Sequence, residues 1–121
     1  MRVQQERGNA GERVAAGFLR SLGYEILEMN WRAEKREIDI IARIEATIVF
    51  VEVKSRGEEP LDDPVLAVNR RKQKHMIQAA QQYMERTGCP LAVRYDIITV
   101  RFTPDGPVIE HMPDAFCPMP I

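Results

Sequence analysis

Residues 37–55 read EIDIIARIEATIVFVEVKS, and this stretch decides the fold. Two runs rich in β-branched and aliphatic residues, Glu37–Arg43 and Thr47–Ser55, are separated only by a few residues around Glu45 and Ala46. The pattern predicts two strands joined as a hairpin, hence antiparallel. Charged residues interrupt the runs at chemically telling places. Asp39 stands among Ile38, Ile40 and Ile41, and Glu52 and Lys54 break the run IVFVEVK. Side chains two apart on a strand point the same way, so Glu52 and Lys54 share a face with Ile48 and Phe50. With the strands in register, Asp39 joins them near the same end.

Two carboxylates and an ammonium group converging on a sheet form a concrete device. Carboxylates hold a hard cation such as Mg²⁺, whose shell also takes water and substrate phosphate. The cation polarises the phosphate and acidifies a bound water, while a lysine orients that water and stabilises developing charge. This is the chemistry of phosphodiester hydrolysis. Ion pairs between neighbouring strands produce the same letters, and that is the structural alternative.

Outward from the hairpin, Val14, Phe18, Leu19 and Leu22 recur at helical spacing before Gly23. They predict an amphipathic helix that begins properly near Asn9, after a glycine-rich opening. Tyr24–Asn30 reads as a first strand, with Trp31 and Arg32 in the loop that follows and Trp31 in a core or interface. Downstream, Gly57–Pro64 (GEEPLDDP) is a loop by composition. A second helix spans Asn69–Thr87 with an apolar stripe of Met76, Ile77, Ala80, Tyr83 and Met84, stopped by Gly88 and Pro90. A strand lies within Leu91–Phe102, and a short final one is expected at Val108–His111. Residues 112–121, with three prolines, are expected to continue neither sheet nor helix. The order α-β-β-β-α-β-β predicts an α/β sandwich, a mixed sheet flanked by helices, and 121 residues make one domain.

The 17 Lys and Arg against 18 Asp and Glu, a net charge of −1, argue against a protein that merely coats nucleic acid. They leave a nuclease open, because metal-binding carboxylates offset basic contact residues. Arg70, Arg71, Lys72, Lys74 and His75 gather at the start of the second helix, where cations oppose the macrodipole. Phosphate binding accounts for them, and so does a solvated face. Arg32, Arg36 and Arg56 add positive charge near the motif and complete the expected nucleic-acid contacts. His75 and His111 lack metal-ligand spacing and read as structural. Cys89 and Cys117 read as reduced thiols, and neither a signal-peptide segment nor a membrane-length apolar run is seen, so a cytoplasmic protein is expected.

Asp39, the spacer 40–51 and then Glu52-Val53-Lys54 resemble the D-xn-(D/E)-x-K signature of the PD-(D/E)XK nuclease superfamily. Within it, Asn30-Trp31-Arg32, Glu37–Ile41, Phe50–Arg56, Gly11-Glu12, Lys72, Tyr95-Asp96-Ile97 and Ala115-Phe116 are similar to the YraN-like family, so the resemblance covers about Gly8 to Phe116. It implies a restriction-endonuclease-like αβββαβ core, likeness to archaeal Holliday-junction resolvases, and a homodimer acting on structured or branched DNA, with RNA left open. It implies Mg²⁺ or Mn²⁺ on Asp39, Glu52 and the Val53 carbonyl, catalysis by Asp39, Glu52 and Lys54, and an acid from the first helix. Glu12 matches that acid, although a glutamate in a first helical turn is also favoured by the dipole alone. The chain departs from the family at Arg36, where the pattern has glycine, and in the acidic Glu58–Asp63 segment. These departures favour the competing expectation, a non-catalytic nucleic-acid-binding or protein-interaction module on the same fold.

Overall fold

A two-residue turn at Glu45-Ala46, with Glu45 at φ 51°, joins β2 (Arg36–Ile44) to β3 (Thr47–Arg56) as an antiparallel hairpin. This is a computed structural model describing residues 2–56 and 69–118, without the side chains of residues 2–9 and Arg56. The expectations placed on the Gly57–Pro64 loop and on the Arg56 side chain lie outside the described residues. The remaining elements are α1 (Arg2–Ser21), β1 (Glu25–Ala33), α2 (Arg70–Thr87), β4 (Ala92–Thr103) and β5 (Gly106–Phe116).

The sheet runs in the order β1-β2-β3-β4-β5, and only the β3–β4 pair is parallel. A parallel pair needs a crossover, and α2 supplies it. Ala15, Ala16 and Leu19 of α1 pack on one face over Ile40, Val49, Val51, Ile98 and Val100. Ala79, Ala80 and Tyr83 of α2 pack on the other over Ile38, Ile41, Ile48 and Phe50. Because both faces of β3 are covered, Ile48 to Val51 form one continuous apolar run with no alternation. The architecture is the restriction-endonuclease-like αβββαβ core, with β5 added at the edge.

Three expectations are corrected. Helix α1 begins at Arg2 rather than near Asn9, so Glu12 lies mid-helix and the first-turn dipole does not account for it. Strand β1 continues to Ala33, which puts Trp31 on the strand and not in a loop. There it packs edge-on against Tyr83 of α2, with ring centroids 5.2 Å apart. Finally, β5 does not stop at His111 but runs from Gly106 to Phe116 in spite of Pro113.

The proline is tolerated for two reasons. As the outer strand, β5 has one side on which a missing N–H costs no ladder bond. The register also jumps, from Ile97↔Met112 to Tyr95↔Phe116, so Pro113, Asp114 and Ala115 bulge opposite Asp96 alone. Asp114 takes φ 54° in that bulge, and its N–H donates to Asp96 Oδ1 at 3.0 Å.

Asp96 is fully buried, and three further hydrogen bonds complete its shell. Arg94 donates through Nε and Nη2, both at 2.8 Å, and His111 Nε2 lies 2.7 Å from Oδ2. Arg94 Nη2 also donates to the Tyr24 hydroxyl at 2.6 Å, tying the α1–β1 turn to β4. His111, read from sequence as structural, is a member of this buried network. Burial by itself would raise the Asp96 proton affinity, but bonds from Arg94, His111 and the Asp114 N–H outweigh it and hold the carboxyl below its usual range.

A carboxyl depressed in this way contributes stability that is complete above its ordinary value of 3.8 and is lost as pH falls further. Asp96→Ala is expected to cost about 3 kcal/mol in urea unfolding at pH 7, since it strands the partly buried Arg94 charge. The difference from the parent should shrink below pH 4, and a pH-independent difference would contradict the charge-based account.

Candidate active site

Strands β2 and β3 are registered from Ile44↔Thr47 only as far as Ile40↔Val51. One residue beyond, a side chain replaces the ladder: the Val53 N–H donates to Asp39 Oδ2 at 2.8 Å. The β1–β2 pair turns over at the same level. Met29 and Ile40, paired with each other, pack in the α1 layer, whereas Trp31 and Ile38, the next pair, pack in the α2 layer. Residues two apart on a flat strand would face one way. Between these pairs sit Asn30 and Asp39, and Asn30 has φ 53°, a left-handed conformation that asparagine accepts better than most residues. Asp39 therefore stands where the sheet parts and rolls, between groups arriving from both layers.

From the α1 layer comes Glu12. A Cβ at Gly11 would collide with the Ser55 side chain, so glycine there lets α1 seat against the end of β3. Glu12, 9% exposed, accepts a hydrogen bond from Asn30 Nδ2 at 2.8 Å. From the α2 layer comes Glu52, 3% exposed on the central strand. Its Oε2 lies 3.8 Å from Lys54 Nζ and 3.6 Å from Lys72 Nζ. Its Oε1 is buried and has no hydrogen-bond partner among the described residues.

The three acids hold their protons unusually well. Glu52 is pushed up to about 8, by burial first and the neighbouring Asp39 charge second, against the opposing pull of Lys72 and Lys54. Glu12 is pushed up to about 7 by burial, aided by the charges on Asp39 and Glu37 and opposed by the Asn30 bond. Burial also raises Asp39, although the Val53 N–H, a hydrogen bond with the Glu52 carboxyl and the Lys72 charge work against it. A constellation so displaced from ordinary carboxylate behaviour is characteristic of functional sites.

Other basic residues expected at the site are differently engaged. Arg32 Nε pairs with Glu37 at 3.0 Å, and Arg36 donates to Gln78 at 2.9 Å while lying 3.6 Å from Glu34. Arg70, Arg71 and Lys74 are exposed on the first turns of α2. Lys72 alone of that cluster is drawn to the carboxylates. Asn30 was visible in the sequence only as part of a family resemblance; its signal is a polar residue opposite Asp39 in a strand.

The profile of the Uncharacterised protein family UPF0102 matches residues 11–100, from the glycine beside Glu12 to the end of the β4 core. The chain belongs to UPF0102. Its relatives include UPF0102 proteins of Porphyromonas gingivalis, 39% identical over 96% of this chain and 87% of that one, and of Christiangramia forsetii, 37% identical over 96% and 98%. A third, from Geobacter metallireducens, is 41% identical over 90% of both chains. Among solved structures, Pyrococcus furiosus SfsA in complex with Ca²⁺ is a distant likeness, with 12% identity, a TM-score of 0.35, and coverage of 91% of this chain and 63% of that one.

The UPF0102 site suits a hard divalent ion by its donor chemistry. Asp39 and Glu52 offer carboxyl oxygens, and Glu52 Oε1 is desolvated with no donor to it among the described residues. Among the described residues no three Asp, Glu, His or Cys side chains are arranged as a ready metal cage. A Mg²⁺ ion needs no such cage, because it takes one or two carboxylates and keeps several waters. Glu12, already bonded to Asn30, stands near enough to Asp39 for the two groups to interact.

Raised proton affinity has a stability consequence with a definite sign. A carboxyl raised in the fold contributes stability that is complete below its ordinary 4.5 and is lost as pH rises through about 8. In chelator, Glu52→Gln is expected to be more stable than the parent at pH 9, by roughly 2 kcal/mol, and to lose that advantage at pH 4. Thermal unfolding at the two pH values checks this, and an unchanged midpoint at pH 9 would remove the basis for a buried charged Glu52.

Proposed function

We propose that this UPF0102 protein is a Mg²⁺- or Mn²⁺-dependent nuclease that hydrolyses phosphodiester bonds in structured or branched DNA in the cytoplasm. The observation that carries the reading is Glu52: a buried carboxylate with an unpartnered oxygen, beside Asp39 and within 4 Å of two ammonium groups. Asp39, Glu52 and the Val53 carbonyl would hold the ion, which when bound supplies Lewis acidity and an acidified water. Lys54, 38% exposed and rooted on β3 two residues from Glu52, orients the attacking water and offsets charge developing on phosphate. Arg70, Arg71 and Lys74 line the approach and contact the backbone of the nucleic acid.

Two identical sites suit a symmetric substrate, so the active form is a homodimer. Light scattering at tens of micromolar should give twice the 13.9 kDa chain mass, and a monomer alone would count against a paired site.

A non-catalytic binding module is the second reading, and one observation favours it. Arg32 and Arg36, nearest the motif, are already occupied by Glu37, Glu34 and Gln78. Cleavage of duplex, single-stranded, flap and four-way DNA in Mg²⁺ and Mn²⁺ separates the two. Lys54→Met removes an interaction made mainly in the transition state, so cleavage should fall at least about 100-fold with little change in DNA affinity. Asp39→Ala should lose metal binding and cleavage together. Equal rates for Lys54→Met and the parent would refute the assigned mechanism, and a parent that never cuts would favour the binding module.

A further inference from the structure

Lys72 reaches the site from a different element than Lys54, and its own helix does not account for it. It is the third residue of α2, with its N–H donated to the Asn69 cap at 2.9 Å. That first turn has no acidic residue, so a cation there faces the positive end of the helix dipole. The side chain nonetheless turns toward the sheet and stops 3.6 Å from Glu52 Oε2. Lys54 approaches the same oxygen at 3.8 Å, while Oε1 receives nothing. Two ammonium groups thus crowd one oxygen of a carboxylate whose other oxygen is empty-handed.

This is poor hydrogen bonding but sensible charge balance. A carboxyl buried beside a second one gains from positive charge nearby, and Lys72 brings it to 3.6 Å from Glu52 Oε2. A lysine is suited to a temporary post: its charge sits on a flexible four-carbon stem, and here the side chain is 42% exposed. Lys54 has a shorter leash, since it shares β3 with Glu52.

We infer that Lys72 is a placeholder cation, which occupies the place beside Glu52 Oε2 when no divalent ion is bound and is released to the substrate phosphate when one binds. The inference rests on the metal-dependent reading above. With a divalent ion held by Asp39 and Glu52, the contact with Glu52 would be taken over by the stronger charge and the Lys72 ammonium group would be freed. Freed from Glu52, Lys72 finds the nearest new anion in the nucleic-acid backbone, beside exposed Arg70, Arg71 and Lys74. Phosphate binding at this position is thereby tied to metal occupancy, and Lys72 acts as a positioning residue.

The test compares Lys72→Met, Lys72→Gln and Lys72→Arg with the parent in the full chain. Calorimetric titration with Mn²⁺ and thermal unfolding with and without it are the readouts. Relieved of a competitor worth about one surface-to-buried ion pair, Lys72→Met and Lys72→Gln should bind Mn²⁺ about tenfold more tightly than the parent. They should be less stable than the parent in chelator, gain more from Mn²⁺, and cleave more slowly, whereas Lys72→Arg should stay near the parent in metal affinity. Tighter metal binding with slower cleavage is a pairing that a purely structural lysine does not produce. Unchanged or weaker Mn²⁺ binding by both neutral variants, beside a parent that binds, would overturn the inference and leave the nuclease reading standing. A parent that binds no Mn²⁺ and gains no stability from it would overturn both.

Discussion

The parallel pairing of β3 with β4 is the constraint on which the rest of the structure depends. Parallel neighbours cannot be joined by a tight turn, so the chain must leave the end of β3, cross the sheet and return to the start of β4. Helix α2 makes that return, and its first turn therefore lies near the end of β3, where Glu52 and Lys54 stand. The same crossover buries Ile48 and Phe50 under Ala79, Ala80 and Tyr83. One topological requirement thus supplies both a core layer and the placement of Lys72 beside Glu52.

On the two sides of this pair the sheet is opened and closed at the same level. On the β2 side the β2–β3 ladder stops at Val51, Asp39 substitutes for it by accepting the Val53 N–H, and the β1–β2 pair rolls over at Asn30. On the β5 side Asp96, the β4 partner of Val51, collects bonds from Arg94, His111 and the Asp114 N–H and holds the β5 bulge in place. The two sides handle buried charge in opposite ways. Asp96 is satisfied at each oxygen and sits below its ordinary proton affinity; Glu52 is left one donor short and sits far above it. A fully satisfied buried acid serves stability, whereas a partly satisfied one is a standing cost, of the kind proteins retain where a ligand completes the shell.

The UPF0102 match and the restriction-endonuclease-like fold both take in the residues of this rim, but they do so from different materials. The family match starts at Gly11, the residue whose missing Cβ lets α1 approach Ser55 and carries Glu12 to Asn30. The fold contributes the convergence of α1, β1, β2, β3 and α2 on one rim. An acid from each of three elements, an asparagine and two lysines meet there, although they lie as far apart in the chain as Glu12 and Lys72.

By itself the sequence determined the order of elements, the hairpin, both helices and the sharing of a strand face by Glu52 and Lys54. Each of these rests on local periodicity, turn chemistry or the two-residue repeat of a strand, and local rules act over a few residues. Tertiary structure decided the rest. That β5 continues through Pro113 depends on its being an edge strand opposite a bulge, which no local rule discloses. That His111 is tied to Asp96, and Lys72 to Glu52, depends on neighbours 15 residues away across a bulge in one case, and across the β3–α2 crossover in the other. Whether Glu12 belongs to a helix start or to a site turned on where α1 begins and on the space left by Gly11. Side-chain partners are chosen by packing in three dimensions, and the residues of the candidate site are those whose partners come from another layer.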